Sequence, residues 1–200
     1  MELKTVEIFK NRRSYYNLDK NINVKNEDII NFVKDIFYYS PSPYNAQNQR
    51  AVVLLEKEHD YLWGNIVMET LRKQVDDDEA FKRTESKING FKNAYGTILI
   101  FEDMDVIGEL QEKFPTYHDT FIEWSEHSSG IVTQGLWIGL REMGLGANLQ
   151  HYNPLIDDEV KEKWNIPKNW SLKAQMVFGN ILEEPAPMKK IDINKRVLVK

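Results

Sequence analysis

The stretch from Gly130 to Pro154, GIVTQGLWIGLREMGLGANLQHYNP, constrains this chain more than any other. Ile131, Val132, Leu136, Trp137, Ile138, Leu140 and Met143 place apolar side chains nearly all the way round a helix. A helix that is apolar all round is buried. The run is too short for a membrane span, and Arg141 and Glu142 interrupt it near its end. Ser128 and Ser129 suit its start as caps, and Gly144 and Gly146 suit its end. Gly135 and Gly139 lie one turn apart, which lets a second backbone come close. The helix is read as the centre of a domain. On these residues it is either an ordinary core helix or one that lies against its copy in a second chain.

Two hundred residues suggest a single domain, 1–200, and a hydrophobic share of 42% supports a sizeable core. The net charge of -5 argues against a general nucleic-acid binder. The chain has no cysteine, which excludes disulfides, thiolate zinc sites and cysteine nucleophiles. His59, His118, His127 and His151 are scattered without ligand spacing, so no metal is expected. The start, MELKTVEIFKNRRS, has neither a long apolar run nor a small-residue cleavage site. The expectation is a soluble cytoplasmic protein that contacts no membrane.

Along the chain, strands and helices interleave, which predicts an α+β or α/β domain. Thr5 to Lys10 reads as a short amphipathic helix and Asn26 as the cap of a second. Ala51 to Leu55 and Tyr95 to Phe101 read as buried strands. Glu58 to Val75 reads as a helix with Tyr61, Leu62, Trp63, Ile66, Val67 and Leu71 inward. Phe81 to Phe91 is charged and weakly amphipathic, and is expected on the surface rather than in the core. Asp105 to Lys113 is a short helix ended by Pro115, and Ala147 to Gln150 a short strand. Asp157 caps a helix to Trp164, and Leu172 to Phe178 is a strand closed by Gly179. The tail past Pro185 carries its own apolar run, so it is expected to dock on the fold or on a partner.

Three features ask for one explanation. Arg12-Arg13-Ser14 offers planar paired donors that suit a phosphate; a solvated basic pair is the competing reading. The loop Ser40 to Arg50 has two prolines followed by four carboxamides, which can match an imide or amide edge on a ligand. Here a polar turn competes. Lys195-Arg196 is a basic pair within the apolar tail. A flat cofactor bearing a phosphate satisfies all three. No GxGxxG and no GxxxxGK[ST] loop is present to indicate a dinucleotide or nucleoside triphosphate.

The ordered set Arg12-Arg13-Ser14, SPSPYNAQNQR, Phe121 to Gly130, GLGANLQHYNPLID and AQMVFG resembles the nitroreductase family. It is most similar to the branch typified by the fungal fatty-acid-repression-mutant protein and small bacterial nitroreductases. The resemblance implies an α+β fold in which helices flank a mixed central sheet, with a buried central helix. It implies a homodimer, with a domain-swapped C-terminal tail, 185–200, wrapping the partner and two FMN sites between subunits. By the same resemblance Arg12, Arg13 and Ser14 hold the FMN phosphate. Pro41, Ser42, Asn45 and Gln47 meet the isoalloxazine from the other subunit. Leu149, Gln150 and His151 lie beside it, and Arg196, or failing it Lys195, reaches the phosphate from the tail. No side chain is named as catalytic, because the chemistry belongs to flavin N5. His151 either donates near the flavin or is a structural histidine bonded to backbone, the second being preferred. The implied activity is NADH- or NADPH-dependent reduction of small aromatic acceptors, nitroaromatics or quinones, by a ping-pong two-electron route. The alternative is a flavin-binding regulator with little turnover, tied to lipid or oxidative-stress signalling. Pro43 and Tyr44 in place of small residues, and Asn48-Gln49 where Pro-Trp is common, touch acceptor choice.

Overall fold

A computed structural model describes residues 3–200. The sheet runs β2 (Gln49–Leu55), β3 (Gly96–Asp103), β5 (Trp170–Ile181), with β4 (Gly146–Gln150) and β1 (Leu18–Asp19) also on β5. All pairings between these strands are antiparallel. The parallel part expected of a mixed sheet is one isolated bridge, Ser14 to Ala147. β3 is buried at every position, as its unbroken apolar run requires. β2 lies at the edge, so Ala51, Val52 and Val53 are only half-buried, not the buried strand expected.

Each face of the sheet has its own core. On one face Leu54, Leu99, Phe101 and Val177 meet Leu62, Trp63, Ile66 and Val67. These come from α3 (Glu56–Tyr61), a π turn (Leu62–Val67) and α4 (Met68–Arg72). Tyr61 points outward, against expectation. Also on that face is α5 (Asp78–Lys92), which buries Phe81, Ile88 and Phe91. The expected surface excursion is thus a core helix: its few apolar residues fall on one stripe among many charges. α8 (Asp157–Trp164) adds Val160. On the opposite face Ile98, Ile100, Met176 and Phe178 meet α2 (Asn26–Tyr39) and α7 (Thr120–Glu142). The register of β3 on β5 shifts between Ile100 and Phe101, where Leu172 and Ala174 pair and Lys173 is skipped. That bulge turns Leu172 onto the first face and Ala174 onto the second. Gly179 does not close β5 but pairs with Gly146 inside it, and a Cβ there would meet the Asp19 carbonyl at 2.6 Å.

α7 begins ten residues before Gly130. Ser128 and Ser129 are therefore not caps: both are buried inside the helix, where Ser128 Oγ donates to the Trp124 carbonyl and Ser129 Oγ to Glu102. Its end is as expected, with Gly144 at φ +82 and Leu145 N donating to the Leu140 carbonyl. Gly135 and Gly139 take Ile36 and Phe32 of α2, side chains of the same chain rather than a second helix copy. Val132, Leu136 and Leu140 are buried, while Ile131 is 47% exposed. No described helix is long and apolar enough to cross a membrane.

Candidate functional site

Arg12, Arg13 and Ser14 follow α1 (Lys4–Asn11) and lie against the C-terminal half of α7. The Arg12 guanidinium sits 4.5 Å from the Trp137 ring centroid. Trp137 Nε1 donates to the carbonyls of Arg13 (3.2 Å) and Ala147 (3.1 Å), which locks the arginine segment to β4. Tyr15 N also donates to the Ala147 carbonyl, at 3.0 Å. Asn148 is fully buried; its Nδ2 donates to the Tyr15 carbonyl and its Oδ1 accepts from Gln150 Nε2. The structure thus brings Arg12, Arg13, Ser14, Leu149 and Gln150 into one region. The Gln150 carboxamide is turned inward, its Nε2 donating to Asn148 Oδ1 at 2.8 Å.

Among the described residues neither Arg12 nor Arg13 has a carboxylate partner within salt-bridge distance. Arg13 Nη2 donates instead to the Ala186 carbonyl at 2.5 Å. Two adjacent guanidiniums without carboxylates, beside a hydroxyl in a protein of net charge -5, form a donor set that fits a phosphate dianion. A cleft of about 460 Å³ opens there, lined by Arg13, Ser14, Asn17 and the start of the tail. Glu183 and Glu184 in its wall are held by Asn17 Nδ2 and Tyr15 OH. Lys195 and Arg196 are exposed in a short turn, and nothing described joins their side chains to Arg12–Ser14.

Pro41, Ser42, Asn45 and Gln47 are gathered at the N-terminal half of α7. Tyr44 packs on Phe114 (4.6 Å), Phe121 (5.7 Å) and Trp124 (6.5 Å), and Asn48 Nδ2 donates to Ser125 Oγ at 2.7 Å. Tyr44, Asn45 and Gln47 have φ of 52, 55 and 50. Such left-handed conformations cost of order 1–3 kcal/mol each in non-glycine residues. Gln47 N donates to Ser42 Oγ (2.9 Å), and its carbonyl accepts from Arg50 Nη1 (2.5 Å). The loop thus lies along the N-terminal half of α7, from Trp124 to Ile131, and the arginine segment on its C-terminal half at Trp137.

His151 is exposed, and no hydrogen bond of its ring is described, so the preferred reading of it as a backbone-bonded histidine does not hold. That part belongs to His59, which is fully buried between Thr97 Oγ1 (2.9 Å) and the Phe91 carbonyl (3.1 Å). Trp63 Nε1 donates to the same hydroxyl, so Thr97 gives its proton to Nδ1 and His59 Nε2–H faces the carbonyl. Burial lowers its pKa from 6.5 to about 4. Lys173, the bulged residue, contacts Glu126 (2.6 Å) and the buried Glu102 (3.3 Å). Burial alone pulls its pKa down, but the two carboxylates outweigh that and raise it. Sequence reasoning missed Trp137 as a clasp, Asn148 as a buried hub and Arg50 as a loop anchor. All three stood inside stretches already singled out, but their partners are distant in sequence.

The Nitroreductase family profile matches residues 9–180. The nitroreductase FRM2 of Saccharomyces cerevisiae is 31% identical over 191 residues, covering 94% of this chain and 93% of its own. The nitroreductase CinD of Lactococcus lactis, solved with nicotinic acid, superposes with a TM-score of 0.91 at 41% identity, covering 98% of this chain and 100% of its own. CinD has also been solved with chloramphenicol and with 4-nitrophenol. A structure from Exiguobacterium sibiricum in complex with FMN matches with a TM-score of 0.69 over 100% of this chain and 99% of its own; at 18% identity that likeness is one of fold.

Proposed function

This chain belongs to the nitroreductase family, and from that premise we propose that it is an FMN-dependent NAD(P)H oxidoreductase of nitroaromatics and quinones. It works as a single-domain chain paired in a cytoplasmic homodimer. The observation that carries the reading is the placement of the arginine segment on the C-terminal half of α7 and of the Pro-Ser loop on its N-terminal half. In this reading the arginine segment of one copy and the loop of the other grip the same flavin. The exposed Ile131 and the exposed tail residues Val197, Leu198 and Val199 supply apolar surface for that pairing.

In this reading Arg12, Arg13 and Ser14 hold the phosphate, with Arg196 or Lys195 reaching it from the partner's tail. Pro41, Ser42, Asn45 and Gln47 face the ring system from the other subunit, and Leu149, Gln150 and His151 line its edge. Bound FMN supplies hydride chemistry at N5. The protein binds and orients the ring and leaves one face open. The flat wall of Tyr44, Phe114 and Trp124 beside the loop suits aromatic acceptors of several shapes. The complexes of CinD with small aromatic ligands support such a site here.

The purified protein is expected to be yellow and to release FMN, not FAD, on heating. NADH and NADPH oxidation is followed with a nitroaromatic, a quinone and no acceptor. Parallel double-reciprocal lines are expected, as one site used in turn requires. A fully flavin-loaded protein reduced by neither nucleotide overturns the enzyme reading.

A further inference from the structure

We propose that Arg50, anchored by Asp103, is the positioning residue of the Pro41–Gln47 loop, and that it sets a positive charge behind the flavin edge this loop faces. The second half rests on the function proposed above; the clamp does not.

Both backbone groups of Gln47 are tied to side chains. Its N–H goes to Ser42 Oγ, and its carbonyl takes the Arg50 guanidinium. A left-handed residue persists only where its surroundings over-determine it, and Gln47 at φ 50 is such a residue. Arg50 is itself held on several sides. Nη1 also donates to the Gln49 carbonyl at 3.0 Å, and Nη2 to Asp103 Oδ2 at 2.9 Å. The Trp170 ring lies 5.8 Å from its guanidinium carbon. Asp103 is fixed in turn: Oδ1 accepts from Asn169 Nδ2 at 2.7 Å, and its N–H donates to the Asn48 carbonyl at 2.8 Å. The planar guanidinium holds the Gln47 and Gln49 carbonyls and the Asp103 carboxylate in fixed directions at once, whereas a lysine ammonium is a point charge without that fork. The Arg50–Asp103 side chains are only 28% and 12% exposed, so their charges are incompletely screened. The cationic end touches the Gln47 carbonyl, and the anionic end sits at the last residue of β3, beside Asn48.

The test uses the purified dimer carrying Arg50→Gln, Arg50→Lys or Asp103→Asn. FMN affinity is read by fluorescence on reconstitution, and the flavin midpoint potential by dye equilibration. Arg50→Gln is expected to weaken FMN roughly ten- to hundredfold and to lower the potential. Arg50→Lys keeps the charge and a near-normal potential but still weakens FMN, because its ammonium lacks the planar fork that holds all three partners in place. Asp103→Asn moves the potential upward, opposite to Arg50→Gln; a merely structural role gives no such opposition. Native FMN affinity in both Arg50 variants, or potentials that shift the same way in Arg50→Gln and Asp103→Asn, overturns the proposal. If Arg50→Gln does not fold, the other two variants decide. If the wild-type protein binds no FMN, it is the proposed function that fails. The clamp is then judged by hydrogen exchange of the Gln47 amide: faster exchange in the Arg50 variants supports it, and unchanged exchange overturns it.

Discussion

At the C-terminal half of α7, Arg12–Ser14 are stitched to β4 through backbone carbonyls, the Trp137 indole and the buried Asn148. At its N-terminal half, the loop Pro41–Gln47 is largely exposed, left-handed at three residues, and held by side chains. The first region is half-buried but tied directly to the core strand β4, so it comes ready-made with the fold. The second is a strained surface loop whose shape depends on a few clamps. In the function proposed above, the phosphate grip and the ring-facing edge would therefore differ in stiffness along one helix: the grip held by the fold, the loop shaped locally.

The sharpest way to break that contrast is Asn148→Leu. It strips partners from the Tyr15 carbonyl and the Gln150 amide in a buried setting. At 1–3 kcal/mol for each unsatisfied group, a loss of about 2–6 kcal/mol is expected by urea unfolding. Gln47→Ala, at the exposed loop, is expected to stay within about 0.5 kcal/mol. Equal losses in the two variants would erase the distinction.

Acid tests the scaffold that both regions share. His59 is neutral when folded, with a pKa near 4 against 6.5 unfolded, so the unfolded chain binds the extra proton between those values. Stability is therefore full above pH 6.5 and falls as pH drops toward 4, by about 3 kcal/mol for this group. His59→Gln should start lower but lack that part of the slope. A wild-type curve no steeper than the variant's removes His59 as the cause.

Flavin affinity separates the halves by subunit. Arg12→Ala should weaken FMN binding by about 1.5–3 kcal/mol, the range for a hydrogen bond to a charged group. A mixed dimer, one chain with Arg12→Ala and Arg13→Ala and the other with Asn45→Ala and Gln47→Ala, should hold half the flavin. One of its two sites then keeps both intact halves. If each site lies within a single chain, that dimer has two damaged sites and both lose affinity. The smallest effect is expected at Gly144→Ala. Nothing crowds a Cβ there, and only the left-handed backbone, φ +82, costs about 1 kcal/mol. The loop should be unaffected.

By itself the sequence determined what local pattern can carry. The unbroken run in β3, the Gly144 stop of α7 and the order of helices and strands follow from apolar periodicity and turn chemistry. The ordered motifs were enough to indicate the family that the profile match shows. Tertiary structure alone decided the rest, because each remaining feature depends on a partner distant in sequence. Ser128 and Ser129 look like caps until Glu102 and the tight packing of α7 on the sheet draw them inside a helix. The sparse apolar stripe of α5 becomes core only because Trp63 and the sheet wait opposite it. Lys173 turns β5 over by a bulge that no residue type announces. Of two histidines, the one inside the recognisable motif is exposed and His59, outside every motif, is buried, since burial is set by what folds over a residue rather than by its neighbours in sequence.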